Sequence, residues 1–230
     1  MIMSVSAKSP ANRLISKARS RRSGASYLWT CYSHKTGTDL ILESHEELIH
    51  WLIFLEFNNK VSSFWIPDAD ETYSDNLGGP LLRPDAIVIN SAGQREWHDV
   101  RAGVVDKDNL SSKLVASSRG AAACGATYQI FDNSDLIPQM YKVAPLLRIC
   151  SFVLLCRFIK QTESVEAAVL TYAKDRQRGS LLDVLNNFRY FDQTIVISAL
   201  GRLYIRGALE IEVNEQTPTL TTSWHCNETN

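Results

Sequence analysis

RPDAIVINSAGQREWHDVRAGVV, residues 83–105, holds two apolar strand-like runs joined by a turn, and the rest of the chain is read outward from it. The first run is Ala86-Ile87-Val88-Ile89, entered through Pro84-Asp85. The turn is Asn90-Ser91-Ala92-Gly93, where Gly93 takes a positive φ at little cost. The second run is Glu96-Trp97-His98-Asp99-Val100-Arg101. The spacing predicts a β-hairpin with an acid at the start of one strand and an acid-x-base triplet on the other. Hard carboxylate oxygens converging beside a cation are what a divalent metal needs. The competing reading is a solvated hairpin with surface acids.

The chain has 230 residues, 45% of them hydrophobic and 21% charged, with a formal net charge of −1. That length holds one large domain or two smaller ones. A net charge near zero says nothing about nucleic acid, but its distribution does. Lys8, Arg13, Lys17, Arg19, Arg21, Arg22 and Lys35 all precede the first acid, Asp39. Residues 1–26 therefore read as a basic flexible arm, either contacting phosphates through Arg19, Arg21 and Arg22 or simply a disordered terminus. The five cysteines are odd in number and fit neither a zinc site nor a disulfide framework, so a reducing, cytoplasmic setting is expected. No signal-peptide core is visible, and the most apolar run, 149–156, is too short to span a bilayer, so no membrane association is expected.

Within 39–57, Ser44 is the expected N-cap of an amphipathic helix, and Glu47 three residues on completes a capping box. Leu48, Trp51, Leu52 and Leu55 fall on one face. Glu43, Glu46 and Glu47 crowd the first turn. They either compensate the helix dipole or supply, through Glu47 first, a further carboxylate for the hairpin. A strand follows over 61–66. The loop over 67–79 carries Asp68, Asp70 and Asp75 but lacks the terminal Glu of a calcium loop, and reads as solvated. Beyond the hairpin, 111–124 is a helix carrying Lys113 and Arg119 and ended by Gly125. Residues 126–131 form a strand and 132–136 a turn. The order is a mixed α/β core of 27–144.

A second unit, 145–230, reads as four helices (146–159, 163–174, 181–188 capped by Ser180, 193–206 capped by Asp192 and ended by Gly207), then strands over 208–213 and 219–224. Three helices followed by a two-stranded wing is the element order of a winged helix. The helix before the wing carries Arg202 and Arg206. It either enters a major groove or is packed internally while the module binds protein.

Several of these pieces, in this order, resemble the TnsA family, endonuclease subunits of heteromeric transposases with a PD-(D/E)xK restriction-endonuclease-like fold. They are Glu43-Ser44 with Glu47, Leu55-Glu56-Phe57 and Val61; Arg83-Pro84-Asp85 before Ala86-Ile87-Val88; Asp99-Val100-Arg101; and Gly125-Ala126-Thr127-Tyr128-Gln129-Ile130 with Asp132 and Asp135-Leu136. Arg19-Ser20-Arg21-Arg22 is similar to the family's basic N-terminus. The resemblance covers roughly residues 10–137 and extends more weakly into the C-terminal unit. It implies an α/β restriction-endonuclease-like mixed sheet flanked by helices, followed by a small α+β winged-helix-like domain.

The resemblance further implies a DNA endonuclease that cleaves the non-transferred strand at transposon ends, partnered by a DDE-type transposase subunit and, through its C-terminal domain, by an AAA+ regulator. It implies Mg²⁺, with Mn²⁺ able to replace it, bound by Asp85 and Asp99 with Glu47 completing the shell, and DNA contacts from Arg19, Arg21, Arg22 and Lys113. Glu43 and Glu46 are the substitutes for Glu47. The chain departs from the family at Arg101, where Lys is usual. A guanidinium stays protonated and cannot act as a base, but it can hold a phosphate or water electrostatically. Two alternatives therefore stand beside the nuclease: a catalytically impaired adaptor bridging transposase and regulator, and a winged-helix DNA-binding regulator. His98, next to Asp99 on a strand, is expected to face away from the acid and to serve packing or surface.

Overall fold

A computed structural model describes residues 28–68, 71–74, 81–213 and 218–227. The basic arm with Arg19, Arg21 and Arg22 lies outside the described residues, as do Asp70 and Asp75. The chain forms an α/β structure built on a mixed four-stranded sheet with helices on both faces.

The first elements are strands β1 (Trp29–Ser33) and β2 (Thr38–Leu42), an antiparallel hairpin absent from the sequence reading. Its turn is held from a distance. Both oxygens of the buried Glu56 carboxylate accept hydrogen bonds there, from Ser33 Oγ at 2.6 Å and from the backbone N–H groups of His34 and Lys35 at 2.7 and 3.2 Å. Helix α1 (His45–His50) follows, with Ser44 as N-cap accepting from the Glu47 N–H, as expected. The Glu47 carboxylate turns back to the N–H of Glu43 at 2.7 Å, one residue earlier than a capping box would place it. The helix continues as a wider π-helical segment, Trp51–Glu56, which brings Glu56 inward beside Leu52 and Leu55.

The main sheet runs β3 (Val61–Trp65), β4 (Ala86–Asn90), β5 (Arg95–Val100), β6 (Ala126–Phe131) in spatial order. β3–β4 and β4–β5 are antiparallel, the latter being the expected hairpin, and β5–β6 is parallel. Parallel pairing requires a crossover, and helix α2 (Ser112–Ala123) supplies it. Side chains alternate between the faces. Ala86 and Val88 meet Leu48, Trp51 and Leu55 on the α1 face. Ile87 and Trp97 meet Ala116 and Ala121 on the α2 face. Gly120 permits that closeness, since a Cβ there would lie 2.5 Å from Leu82 Cδ1 and 3.2 Å from Trp97 Cζ3. Gly125, at φ 67°, ends α2 as the expected left-handed cap.

After β6 come a short helix α3 (Asn133–Leu136), capped by Asp132, a 3₁₀ turn (Ile137–Lys142) and helix α4 (Val143–Leu155). α4 begins before Pro145 rather than after it, because a proline in the first turn forfeits no helical hydrogen bond. Then follow α5 (Gln161–Arg176), β7 (Arg178–Ser180), α6 (Leu181–Asn187) with its Ser180 cap, α7 (Gln193–Ile205) with its Asp192 cap, β8 (Leu209–Ile211) and β9 (Ser223–Cys226). β7, unforeseen, pairs with β9, and the antiparallel order is β7-β9-β8. Helix α7 is packed internally: Ile195, Val196, Ala199, Leu200, Leu203 and Arg202 are all buried. Of the two readings of this helix, groove entry is the one its burial opposes. Among the described residues no helix is long and apolar enough to cross a membrane.

Candidate active site between β4, β5 and β6

Asp85 stands immediately before β4 and Asp99 near the end of β5. The antiparallel register makes them neighbours, and the Asp85 N–H donates to the His98 carbonyl at 2.9 Å. The Asp85 Oδ2 accepts from the Val100 N–H at 2.7 Å and from Arg101 Nη1 at 3.2 Å. The Asp99 Oδ2 accepts from Arg101 Nη2 at 2.8 Å and from the Tyr128 hydroxyl at 2.5 Å. One guanidinium thus lies across both carboxylates. Arg101 Nη1 also donates to the Val100 carbonyl at 2.8 Å, which fixes the fork's orientation. The loop that carries it is tied down in turn. The Arg101 N–H bonds the Phe131 carbonyl, and the Val105 N–H bonds Asp132 Oδ2 at 2.8 Å.

Asp99 is 1% exposed, and its Oδ1 has no hydrogen-bond partner among the described residues. A buried carboxylate oxygen without a donor is costly and uncommon. Burial raises the pKa of Asp85, and the Asp99 charge adds to that while Arg101 opposes it. Tyr128 is raised too, by burial and then by Asp99, so the phenol keeps its proton and donates it. Glu47 is pushed up to about 7, first by burial and further by the Asp85 charge. A carboxyl at that value exchanges its proton near neutrality.

Asp85, Asp99 and Arg101 are therefore brought together. Glu47, in the first turn of α1, is linked to them through its charge interaction with Asp85. Among the described residues no group of three His, Cys, Asp or Glu side chains is placed to hold a metal ion. Two carboxylates with an unpartnered buried oxygen still suit Mg²⁺ or Mn²⁺, because Mg²⁺ commonly takes one or two carboxylates and keeps several waters. Lys113 is exposed in the first turn of α2.

His98 faces the other way, as its strand position predicts. It is buried, with Nδ1 3.0 Å from His50 Nε2 and Nε2 3.1 Å from Glu96 Oε2. Glu96 fixes the tautomer: His98 Nε2–H donates to it, Nδ1 accepts, and His50 donates from Nε2. Burial keeps both rings neutral. This chain of bonds and the Tyr128–Asp99 contact were missed in the sequence. Tyr128 lies inside the quoted GATYQI stretch, but only the parallel β5–β6 pairing, Trp97 opposite Tyr128, puts its hydroxyl on Asp99. The chain gives no match to any protein-family model or to any curated protein sequence.

Proposed function

We propose that this chain is a divalent-metal-dependent DNA endonuclease of the TnsA kind, with a restriction-endonuclease-like unit over 27–144 and a winged-helix-like unit over 145–230. It would cleave the non-transferred strand at transposon ends beside a DDE-type transposase, with an AAA+ regulator docking on the C-terminal unit. The observation that carries this reading is the buried Asp99 carboxylate, with its unpartnered Oδ1, set beside Asp85 at the joined ends of β4 and β5. Further support comes from the element order α1, β3, β4, β5, α2, β6 and from the helix–strand–helix–helix–strand–strand order of 161–226.

Asp85 and Asp99 would hold Mg²⁺, which supplies Lewis acidity toward a phosphodiester and a lowered pKa for bound water. Tyr128 donates to Asp99 Oδ2 and would hold that carboxylate in place for the cation. Glu47, poised near 7, would take up the proton released when water attacks phosphorus. Arg101 cannot take that proton, but its fixed positive charge would offset charge growing on the phosphate oxygens.

The test is strand cleavage of labelled transposon ends by the purified chain with its transposase partner and Mg²⁺. Asp85→Asn and Asp99→Asn should each abolish it; cleavage that survives either change removes the site assignment. One observation favours the second reading, a non-catalytic adaptor: Arg101 already bonds both carboxylates. That reading expects normal complex assembly, no cutting, and no gain from Arg101→Lys. Nicking that appears or strengthens in Arg101→Lys would favour the nuclease.

A further inference from the structure

Away from the Asp85–Asp99 group, a cleft of about 570 Å³ opens between the β1–β2 turn and helices α5 and α7. His34 from the turn, Arg157 after α4, and Arg202 and Arg206 at the end of α7 line it together with Glu163 and Glu166 of α5. His34 and Arg206 also line an adjoining cleft of about 410 Å³ that takes in Lys35 and Ser62.

The cationic groups are only partly answered. Arg206 pairs with the buried Glu166 while itself 59% exposed. Arg202 donates Nη2 to the Cys156 carbonyl at 3.2 Å and stands 3.8 Å from Glu166, yet it is 6% exposed and its Nε has no partner among the described residues. His34 Nε2 is likewise buried and without a partner among them. Arg157 bonds Asp39 at 2.7 Å and lies over the rings of Tyr32 and Phe158. Burial, with the positive charges of Arg202 and Arg206, lowers the His34 pKa to about 4, so its ring is neutral near pH 7.

We propose that this cleft is a phosphate-binding site in which Arg157, Arg206 and the unpartnered nitrogens of Arg202 and His34 converge on one phosphoryl group. Two buried nitrogens without partners, one from the β1–β2 turn and one from α7, leave a place for an acceptor such as an oxyanion. Guanidinium forks arriving from different elements suit a tetrahedral, multiply charged group better than a planar carboxylate. Phe158, 84% exposed at the Arg157 rim, offers a stacking face for a base. The phosphoryl group can therefore belong to free phosphate or to a single-stranded nucleic acid. The site shares no residue with the Asp85–Asp99 group and stands independently of the nuclease reading.

The experiment is calorimetric titration of the full chain with inorganic phosphate and, separately, with a short single-stranded oligothymidylate. The imidazole NMR signals of His34 are followed in both. Either probe should bind and shift those signals. Phosphate binding alone identifies a free-anion site, whereas oligonucleotide binding without phosphate binding identifies a strand contact. Arg206→Gln should weaken binding about tenfold, the loss of one charged hydrogen bond. Glu166→Gln, which removes the competing carboxylate, should tighten it. His34→Gln, which leaves the arginine–glutamate network intact, serves if Arg206→Gln does not fold. Failure of both probes to bind the wild-type chain, or affinity unchanged in Arg206→Gln and His34→Gln, overturns the proposal.

Discussion

A guanidinium laid across two carboxylates offsets part of their repulsion, and it also occupies one oxygen of each. Arg101 therefore competes with any cation for Asp85 and Asp99. Replacing it by Ala should cost about 1–3 kcal/mol, because Asp99 is then left charged and buried beside a second acid. Mg²⁺ should recover much of that loss in Arg101→Ala while raising the wild-type melting temperature less. A thermal melt of Arg101→Ala that ignores Mg²⁺ and Mn²⁺ would end the case for a cation at these two carboxylates. Glu47 makes a pH prediction. Its folded pKa, about 7, lies above its ordinary 4.5, so between those values the folded chain binds more protons than the unfolded one. Stability contributed by this group is full below about 4.5 and is lost as pH rises through 7. In metal-free buffer, Glu47→Gln should flatten that part of the profile and stabilise the chain at pH 8 by at most about 3 kcal/mol. Denaturant melts across this range check it, and an unchanged pH slope would mean Glu47 is not held away from water.

Local signals specify the ends of elements here, and distant contacts specify what lies between. Ser44, Ser180, Asp192 and Gly125 are legible as caps because a cap acts on backbone within three residues. Ser44→Ala should therefore cost about 1 kcal/mol in a denaturant melt, and it should also loosen the turn that orients Glu47. Asp85 and Asp99 are legible for a related reason, since one hairpin register makes them neighbours. The β1–β2 hairpin is not legible. Its turn is held by Glu56, more than twenty residues downstream, and Glu56 reaches it through a π-helical segment that no 3.6-residue periodicity reveals. Residues 39–42, ahead of the Ser44 cap, are assigned no element for want of that contact. The same limit hid β7, a three-residue strand that exists only against β9, and Tyr128, whose partner is set by a parallel pairing. His50 falls opposite the Leu48, Trp51, Leu52 and Leu55 face by helical spacing, so nothing in the sequence marks it as buried. Its bond to His98 ties the helix that bears Glu47 to the strand that bears Asp99, and the bond is visible only once α1 lies on the sheet.

At the scale of the whole chain, helix α4 decides whether 27–144 and 145–230 behave as separate units. Leu146, Ile149 and Cys150 of α4 are buried with Leu48, Leu52 and Val88 in the core beneath the main sheet. The same helix packs against α7, where Gly201 lies so close that a Cβ would meet Ile149 Cγ2 at 2.8 Å and Val153 Cγ2 at 3.0 Å. Tyr204 and Ile211 border both large cores. A helix shared in this way couples the units energetically, so a denaturant titration should show one transition with both tryptophan fluorescence and circular dichroism. The contact can be tested directly with a double-mutant cycle. Gly201→Ala alone should cost about 1–3 kcal/mol by forcing α4 away from α7. Ile149→Ala alone should cost about 2–5 kcal/mol through lost burial and the cavity left behind. Together they should cost less than their sum by more than about 0.5 kcal/mol, because each substitution relieves what the other disturbs. Additive costs, or two separated transitions, would show that α4 belongs to one core alone and that the C-terminal unit moves independently of the sheet carrying Asp85 and Asp99.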